Sequence, residues 1–299
     1  MKKIGIIFLA VILFLQQIQA QPLPSLQVSS DTRSLGIGGT SIVTTSSYSI
    51  ENNASLTALS TQKLDAGVSF SLWGPSTVND KVIGASAWYR TNKLAFGLGF
   101  KHFSMPSYMP TSANGVVSQT ATPFNPREMA FSLGASYRIV PFLSIGLTAR
   151  LTNSVMANDA KAMVFGVDLS VTYQKDALTA AVVLANLGNA AKYSETSYPQ
   201  PITLKAGAAY RILDGLKAQA QADVLFSGAF MAAIGAEYGW KDMLFARAGY
   251  HLGVGKAPVP SYLSLGIGAK FYGIHLDVSY LTASKTLGNT VSIGLGYSF

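Results

Sequence analysis

The sequence predicts an all-β protein, a transmembrane antiparallel β-barrel of about 14 strands with an N-terminal lumen plug. Of the 299 residues, 49% are hydrophobic and only 12% are charged, which is about half the charged fraction of an average soluble domain. After residue 20 there is no run of about 18 apolar residues that would span a bilayer as a helix. Long segments instead alternate apolar and polar residues. A closed barrel of such strands pairs its backbone donors and acceptors inside the membrane, so it suits this composition.

Residues 1–20 are predicted to form a secretory signal peptide. Lys2 and Lys3 precede an apolar run at 4–15, and a short polar stretch then ends at the small residue Ala20. The apolar run is too short for a membrane anchor, which favours cleavage after Ala20. An exported barrel is expected in the bacterial outer membrane. The chain has no cysteine, so it needs no disulfide in the oxidising periplasm.

Residues 21–60 are predicted to form a plug or a periplasmic segment, and residues 61–299 the barrel itself. The segment alternates poorly and contains Pro22, Pro24 and a glycine-rich patch at 35–39. Fourteen strands spaced ~4.8 Å apart and tilted by ~40° give a barrel with a backbone diameter of about 28 Å, whose lumen side chains alone are not expected to fill. The glycine patch resembles part of a phosphate-binding loop but lacks the neighbouring strand and helix. We expect it to form a tight turn close to another backbone.

Fourteen strands are predicted from the alternation that begins at residue 65. In the fourth strand Phe131, Leu133 and Tyr137 share one face while Ser132 and Ser136 share the other, as the twofold period of a strand requires. Most segments have the length that a tilted strand needs to cross hydrocarbon, whereas strands of soluble sandwiches are shorter. The predicted strands are 65–73, 82–91, 94–104, 129–140, 142–153, 161–173, 177–187, 201–212, 215–226, 229–239, 243–252, 261–272, 273–282 and 289–299.

The lengths of the connections predict the orientation of the barrel. Even-numbered connections are short, as periplasmic turns are, and odd-numbered ones are mostly longer, as outer loops are. The odd connection at 227–228 is the one short exception. We therefore expect both termini in the periplasm and the long segments 105–128 and 188–200 over the outer mouth.

Aromatic residues near the predicted periplasmic ends of the even strands indicate a membrane interface. These residues are Tyr89, Tyr137, Tyr173, Tyr210, Tyr238, Phe271 and Tyr297. The last strand also resembles the assembly signal of outer-membrane barrels, because apolar residues alternate outward and an aromatic residue ends the chain. Tyr297 and Phe299 are the predicted assembly residues.

No constellation in the sequence predicts catalysis, so an enzyme, a metal and a cofactor are not expected. His275, Asp277 and Ser279 share one face of a strand, but neighbours two apart seldom place a base within reach of a nucleophile. The histidines lack the spacing of metal ligands. The net charge of +8 suits a membrane whose lipid or lipopolysaccharide carries phosphates, and no basic stripe points to nucleic acid.

Charged residues on the predicted lumen face have two interpretations. They line a solute path, or they form salt bridges that lock the plug and brace the barrel. The mixed signs favour bracing, because an anion-selective pore would carry fewer carboxylates. The main candidates are Arg138, Arg150, Asp168, Lys217, Asp223, Glu237, Arg247 and Asp277, with Arg90, Lys101, Lys205, Arg211 and Lys270 beside them.

Several segments in order resemble one family. The stretch 31–39, Asp-Thr-Arg-Ser-Leu-Gly-Ile-Gly-Gly, is similar to the region that opens mature PorV/PorQ proteins. Residues 184–188, Leu-Ala-Asn-Leu-Gly, resemble its Asn-Leu-Gly motif at the end of a strand, and residues 201–210 resemble the strand that follows. Gly235-Ala236-Glu237-Tyr238 and Ala246-Arg247-Ala248-Gly249-Tyr250 follow in the family's order.

This resemblance implies a FadL-like barrel of fourteen strands with an N-terminal plug, associated with the type IX secretion system of Bacteroidetes. It implies a role as accessory or scaffold, with secreted cargo or the surface attachment complex bound at the outer loops. PorV-like members carry cargo that has a C-terminal signal domain, and PorQ-like members belong to the attachment complex. The alternatives are a FadL-like channel for hydrophobic solutes and a structural barrel with neither cargo nor solute.

Overall fold

The computed structural model describes residues 23–74, 79–111, 117 and 122–299. The predicted signal peptide at 1–20 lies outside these residues. Fourteen antiparallel strands form a closed barrel, in which β1 pairs with both β2 and β16. The predicted fold class is thus confirmed.

Sixteen strands are present in the described residues, and each of the fourteen in the barrel lies within two residues of its predicted bounds. They are β1 Leu64–Trp73, β2 Asp80–Thr91, β3 Leu94–Ser104, β4 Arg127–Val140, β5 Leu143–Val155, β6 Lys161–Lys175, β7 Leu178–Gly188, β8 Ala191–Tyr193, β9 Thr196–Tyr198, β10 Thr203–Leu213, β11 Leu216–Leu225, β12 Phe230–Trp240, β13 Leu244–Val254, β14 Tyr262–Phe271, β15 Ile274–Ser284 and β16 Gly288–Ser298. The short pair β8 and β9 was not predicted and lies in the predicted loop 188–200.

The two faces of the wall differ in polarity as the alternation predicts. Leu133 and Phe131 point outward and are 69% and 57% exposed, whereas Ser132 and Ser136 point inward and are buried. The seven predicted girdle residues are all exposed on the outer face. The outside is therefore an apolar surface suited to lipid.

The two ends of the barrel have different connections. The short-turn end, as we call it, carries the turns 92–93, 141–142, 176–177, 214–215, 241–243 and 272–273. The opposite long-loop end carries the connections 74–79, 105–126, 156–160, 189–202, 226–229, 255–261 and 285–287.

Residues 23–60, the lumen segment, lie inside the barrel. The segment contains a 3₁₀ helix at Pro24–Leu26 and short α-helices at Thr32–Leu35, Ser49–Asn52 and Ser55–Leu59. None of these helices is long and apolar enough to cross a membrane.

The lumen segment runs along the barrel axis from one end to the other. Leu23 packs with Ala162 and Val164, at the long-loop end of β6. The segment ends just before Leu64, at the short-turn end, where Phe299 also lies. Leu23, the first described residue, thus lies at the end opposite Phe299, and the expectation that both termini lie in the periplasm stays a prediction.

Local sequence explains how the lumen segment fits the wall. The Asp31 carboxylate caps the helix Thr32–Leu35 by accepting bonds from the backbone N–H groups of Arg33 and Ser34 at 3.1 and 3.3 Å. Gly38 has φ +71°, and a Cβ there would lie 2.7 Å from the Ile234 carbonyl oxygen. Only glycine fits this approach to the wall, as the glycine patch predicts.

An apolar layer closes the lumen near the long-loop end. Val28 and Leu35 of the lumen segment pack with inward residues of the wall, among them Trp73, Phe103 and Leu281. The polar faces of the predicted strands, which are rich in Gly, Ser, Thr and single charges, predict a crowded, wet lumen. The layer differs because the last inward positions of several strands face the apolar side chains of the lumen segment rather than water.

Candidate functional site: charges and caps in the lumen

A chain of buried charges joins the lumen segment to the wall near the short-turn end. Arg33 donates from Nε and Nη2 to the two carboxylate oxygens of Glu237 at 2.9 and 2.6 Å. Arg247 donates to Glu237 at 2.5 Å and to Asp277 at 2.6 Å. Glu237 and Arg247 are 6% and 5% exposed and lie directly opposite each other on β12 and β13. Loss of one partner would leave a buried charge without compensation.

His275 extends this chain to the first strand of the barrel. Its Nδ1 lies 3.5 Å from Asp277 and its Nε2 lies 3.1 Å from Asp65. Asp65 also accepts a hydrogen bond of 2.6 Å from the Ser47 hydroxyl of the lumen segment. Ser279 donates instead to the Thr32 carbonyl at 2.5 Å, so its hydroxyl holds the lumen segment.

A second cluster holds the middle of the lumen segment. Arg150 donates to Asp168 at 2.8 Å and to the Asn186 side-chain oxygen at 2.9 Å. It also donates to the Glu51 carbonyl at 3.2 Å. Asn186 has φ +62°, and its backbone N–H donates to Asp168 at 2.7 Å. The asparagine of the Asn-Leu-Gly motif thus shapes the end of β7 around a buried ion pair.

A third group lies on β10 and β11. Lys205 and Asp223 are 3.9 Å apart, and Gln221 donates to Asp223 at 2.9 Å. The Gln221 side-chain oxygen accepts the N–H of Ser41 at 2.8 Å. Lys217 donates to the Thr44 hydroxyl at 2.8 Å. These contacts again connect the wall to the lumen segment.

Arg138 lies apart from the other predicted lumen charges. Its Nη2 donates to the Asn92 carbonyl at 3.1 Å, in the neighbouring turn at the short-turn end. This residue braces two connections and does not contact the lumen segment in the described structure. The alternation along β4 places Arg138 on the inward face, but it does not show whether the side chain reaches the lumen segment.

Glu128, which was not predicted as a site residue, connects the lumen segment to the wall at the long-loop end. This fully buried carboxylate accepts the Ser25 N–H and the Ser154 hydroxyl, each at 3.0 Å. Tyr193 of β8 donates to the same Ser154 hydroxyl at 2.7 Å. The start of the lumen segment, the wall and the β8–β9 hairpin therefore meet at one carboxylate. The sequence signal that could have identified Glu128 is its place in the alternation of β4, on the side that faces the lumen.

The hairpin β8–β9 folds into the mouth of the barrel. Ala191 is fully buried and packs with Leu23, Ala162 and Val164, and Tyr193 packs against this group. The hairpin belongs to the segment 188–200 that was expected to cap the mouth. It closes this side of the mouth by contact with the lumen segment.

Cavities lie beside the lumen segment at two levels in the described part of the chain. One of about 570 Å³ at the short-turn end is lined by Arg33, Asp65, Lys217 and His275, among other polar residues. The second, of about 70 Å³, lies in the central charge region, where a space of this size and polarity holds a few water molecules.

Glu51 borders the small central cavity. One of its oxygens is buried without a protein partner, and its other oxygen lies 3.9 Å from the Lys101 ammonium. A water molecule in the cavity would satisfy the free oxygen.

The predicted assembly residues lie on the seam that closes the barrel. The Tyr297 and Phe299 rings are exposed on the outer face, with centroids 6.1 Å apart. The Phe299 carbonyl accepts the N–H groups of Lys63 and Leu64 at 2.6 and 3.0 Å. The last residue therefore completes the pairing between β16 and the start of β1.

No group of three or more His, Asp or Glu side chains within the described ranges is placed to hold a metal ion.

The predicted site residues differ in where they lie. Seven of them face the lumen, where each has a polar partner, and these residues are Arg150, Asp168, Lys217, Asp223, Glu237, Arg247 and Asp277. Among their partners on the lumen segment, Arg33 was identified from the sequence only as part of the stretch 31–39 that resembles the family.

Comparisons with known proteins agree with this architecture. A family model described as type IX secretion system protein PorV matches residues 15–222. A search of curated proteins gives no match.

Solved structures with the same fold include hydrocarbon channels. The toluene transporter TbuX of Ralstonia pickettii aligns with TM-score 0.65 and 12% identity, over 89% of this chain and 96% of that one. The toluene transporter TodX of Pseudomonas putida gives 0.64 and 14%, over 89% and 96%. A FadL homologue of Pseudomonas aeruginosa gives 0.57 and 12%, over 91% and 97%. At these identities the likeness shows the fold alone.

Proposed function

Because the chain belongs to the family of the type IX secretion system protein PorV, we propose that it is an accessory or scaffold of protein secretion in the outer membrane. It binds secreted cargo or the surface attachment complex, and it performs no chemistry. In the proposed orientation the short-turn end faces the periplasm and the long-loop end faces outward. Partners then meet the barrel at the long-loop end.

The observation that supports this role best is that the lumen segment is fixed to the wall at every level. Charge pairs hold it near the short-turn end, the Arg150 cluster holds its middle, and Glu128 holds its start. An apolar layer and the β8–β9 hairpin lie above it. A barrel packed in this way suits a protein that presents surfaces, because a wide pore needs an open lumen.

Exposed apolar side chains at the long-loop end supply a candidate contact surface. Tyr108 and Met109, in the connection after β3, are 45% and 40% exposed. Tyr272 is 86% exposed but lies in a turn at the opposite end. It is therefore a matched control for the loss of an exposed aromatic ring.

The experiment is a pull-down from detergent-solubilised outer membranes, with a tag inserted beside Lys256 and mass spectrometry of the captured proteins. We expect secreted proteins with a common C-terminal domain, or subunits of the secretion system. The double variant Tyr108→Ser with Met109→Ser should capture several-fold less, and Tyr272→Ser should capture as much as the natural protein. Capture of the barrel alone, with a lipid-like ligand in its lumen, would refute the scaffold role.

A channel for hydrophobic solutes is the second candidate. It is supported by the apolar layer near the long-loop end and by the fold shared with proteins described as toluene transporters. A solute would pass only if the lumen segment moved, because this segment fills the path.

A tether between the lumen segment and the wall separates the two candidates. The Thr32 and Ser292 hydroxyls are 2.7 Å apart. Because the natural chain has no cysteine, the double variant Thr32→Cys with Ser292→Cys gives one defined disulfide. A scaffold should support secretion equally in the oxidised and reduced states. A channel should take up toluene only after reduction, and each single variant controls for the substitution itself.

A further inference from the structure

Three cations form a row on the outer face of one wall at the long-loop end. Lys81 on β2 lies opposite Ser104, and Ser104 lies opposite Arg127 on β4. Arg127 lies opposite Val155, and Val155 lies opposite Lys161 on β6. The register thus places the three cations on one line across five adjacent strands, perpendicular to the strands and therefore oblique to the barrel axis. All three are exposed.

The row marks the border of the apolar belt. On the same outward faces, Arg127 is followed by Phe131 and Lys161 by Phe165, and these rings are 57% and 51% exposed to the membrane. Lysine and arginine at such a border extend their charged groups into the headgroup region while their stems stay in the apolar layer.

In the described structure the cations of the row are not paired with carboxylates, although Asp80 precedes Lys81 and Asp159 lies two residues before Lys161. Within the described ranges, none of the three cations has an ion pair. The carboxylate nearest in sequence to Arg127 is Glu128, which points inward and is fully buried. The row therefore presents three unpaired cations at the border of the apolar belt.

The opposite wall has a different surface at the same end. Its outward side chains near the long loops are apolar and exposed, and they are Leu204, Phe226, Phe230, Val254 and Leu263. The outward strand positions of the β2–β6 wall therefore carry the cations of the row, whereas those of the opposite wall are apolar.

We propose that Lys81, Arg127 and Lys161 bind the phosphate groups of membrane lipids in the leaflet at the long-loop end. Neighbouring cations are two strand spacings apart, about 10 Å, so adjacent side chains reach one headgroup from two sides. The occupant is a phosphate-bearing lipid and not free phosphate, because Phe131 and Phe165 offer contact to acyl chains directly below the charges. This site depends only on the barrel spanning the membrane and not on the proposed role in secretion.

The test measures binding of lipid A, a diphosphorylated lipid, to the detergent-solubilised barrel by native mass spectrometry. The triple variant Lys81→Gln, Arg127→Gln and Lys161→Gln should bind about 100-fold more weakly, at about fivefold for each charge lost. The control Lys192→Gln, Lys256→Gln and Lys285→Gln removes the same charge from the same end but outside the row. It should bind within about twofold of the natural protein.

Two further measurements make the result independent of how well the triple variant folds. The natural protein should bind lipid A from which both phosphates have been removed about 100-fold more weakly, and inorganic phosphate should not displace the bound lipid. The exchange Lys81→Arg, Arg127→Lys and Lys161→Arg keeps the charge and should keep the binding. Equal binding of lipid with and without phosphates, or equal loss in the control variant, would overturn the proposal.

Discussion

At the scale of single residues, Glu237 links the lumen segment to the wall through two guanidinium groups. It accepts hydrogen bonds from Arg33 on the lumen segment and from Arg247 on β13 while being 6% exposed. A neutral side chain at this position would leave the buried Arg247 with only Asp277, and would remove the carboxylate from the partly exposed Arg33. Each contact matters because a buried charge is stable only when opposite charges and hydrogen bonds compensate it.

We expect Glu237→Gln to lower the free energy of unfolding by about 3–5 kcal/mol, the typical effect of breaking a buried ion pair. Unfolding in urea of the barrel in detergent micelles measures this. Glu195→Gln removes an exposed carboxylate from the turn of the hairpin and should change the stability by less than about 0.5 kcal/mol. Equal effects of the two variants would contradict the role given to Glu237.

Gly249 tests how closely the lumen segment approaches the wall. A Cβ at Gly249 would clash with the Gly38 nitrogen of the lumen segment, whereas a Cβ at Gly239 would meet the Phe245 ring at 3.0 Å and no atom of the lumen segment within 4 Å. Gly249→Ala should therefore displace the glycine patch and increase hydrogen exchange at residues 36–40, and Gly239→Ala should not. Unchanged protection of the patch in Gly249→Ala would show that the segment has room to shift.

At the scale of elements, the barrel strands were predictable because each is long and strictly alternating, so period and length agree. The hairpin β8–β9 was not, because strands of three residues are too short to show alternation. Its inward fold depends on Leu23 and Glu128, residues far away in the sequence. The short helices of the lumen segment were missed for the same reason, since each has only four or five residues.

Tyr193 should hold the hairpin in the mouth through its hydrogen bond to Ser154. Tyr193→Ala is expected to increase hydrogen exchange at 190–199 while β4, β5 and β6 stay protected. Lys192→Ala changes the exposed neighbour on the same strand and serves as the control. If exchange rises throughout the barrel, the hairpin is part of the wall's stability and not a separate cap.

At the scale of the whole molecule, the inward residues of the site were predictable and their partners were not. Parity along a strand assigns Glu237, Arg247 and Asp277 to the lumen. Arg33 lies 204 residues before Glu237, and nothing in local sequence indicates which carboxylate it meets. The apolar layer was missed because alternation predicts which face of the wall a residue occupies, but not which side chains of the lumen segment lie opposite it.

Closure of the barrel should depend on the last residue of the chain. Removal of Phe299 takes away the acceptor for the Lys63 and Leu64 N–H groups and the outermost ring of the seam. We expect a several-fold lower amount of folded barrel in the outer membrane, measured by its resistance to unfolding in detergent at room temperature. Phe299→Leu keeps the backbone bonds and should lose less, and normal levels after the deletion would contradict the assignment.

The passage of residues 23–60 along the barrel axis has a consequence for the order of assembly. A finished ring of strands offers no side entrance for a segment that is hydrogen-bonded along its whole length. The wall must therefore wrap around the segment while the seam between β1 and β16 is still open. Residues 23–60 then act as an internal template for the wall, and pairing of β16 with β1 encloses them.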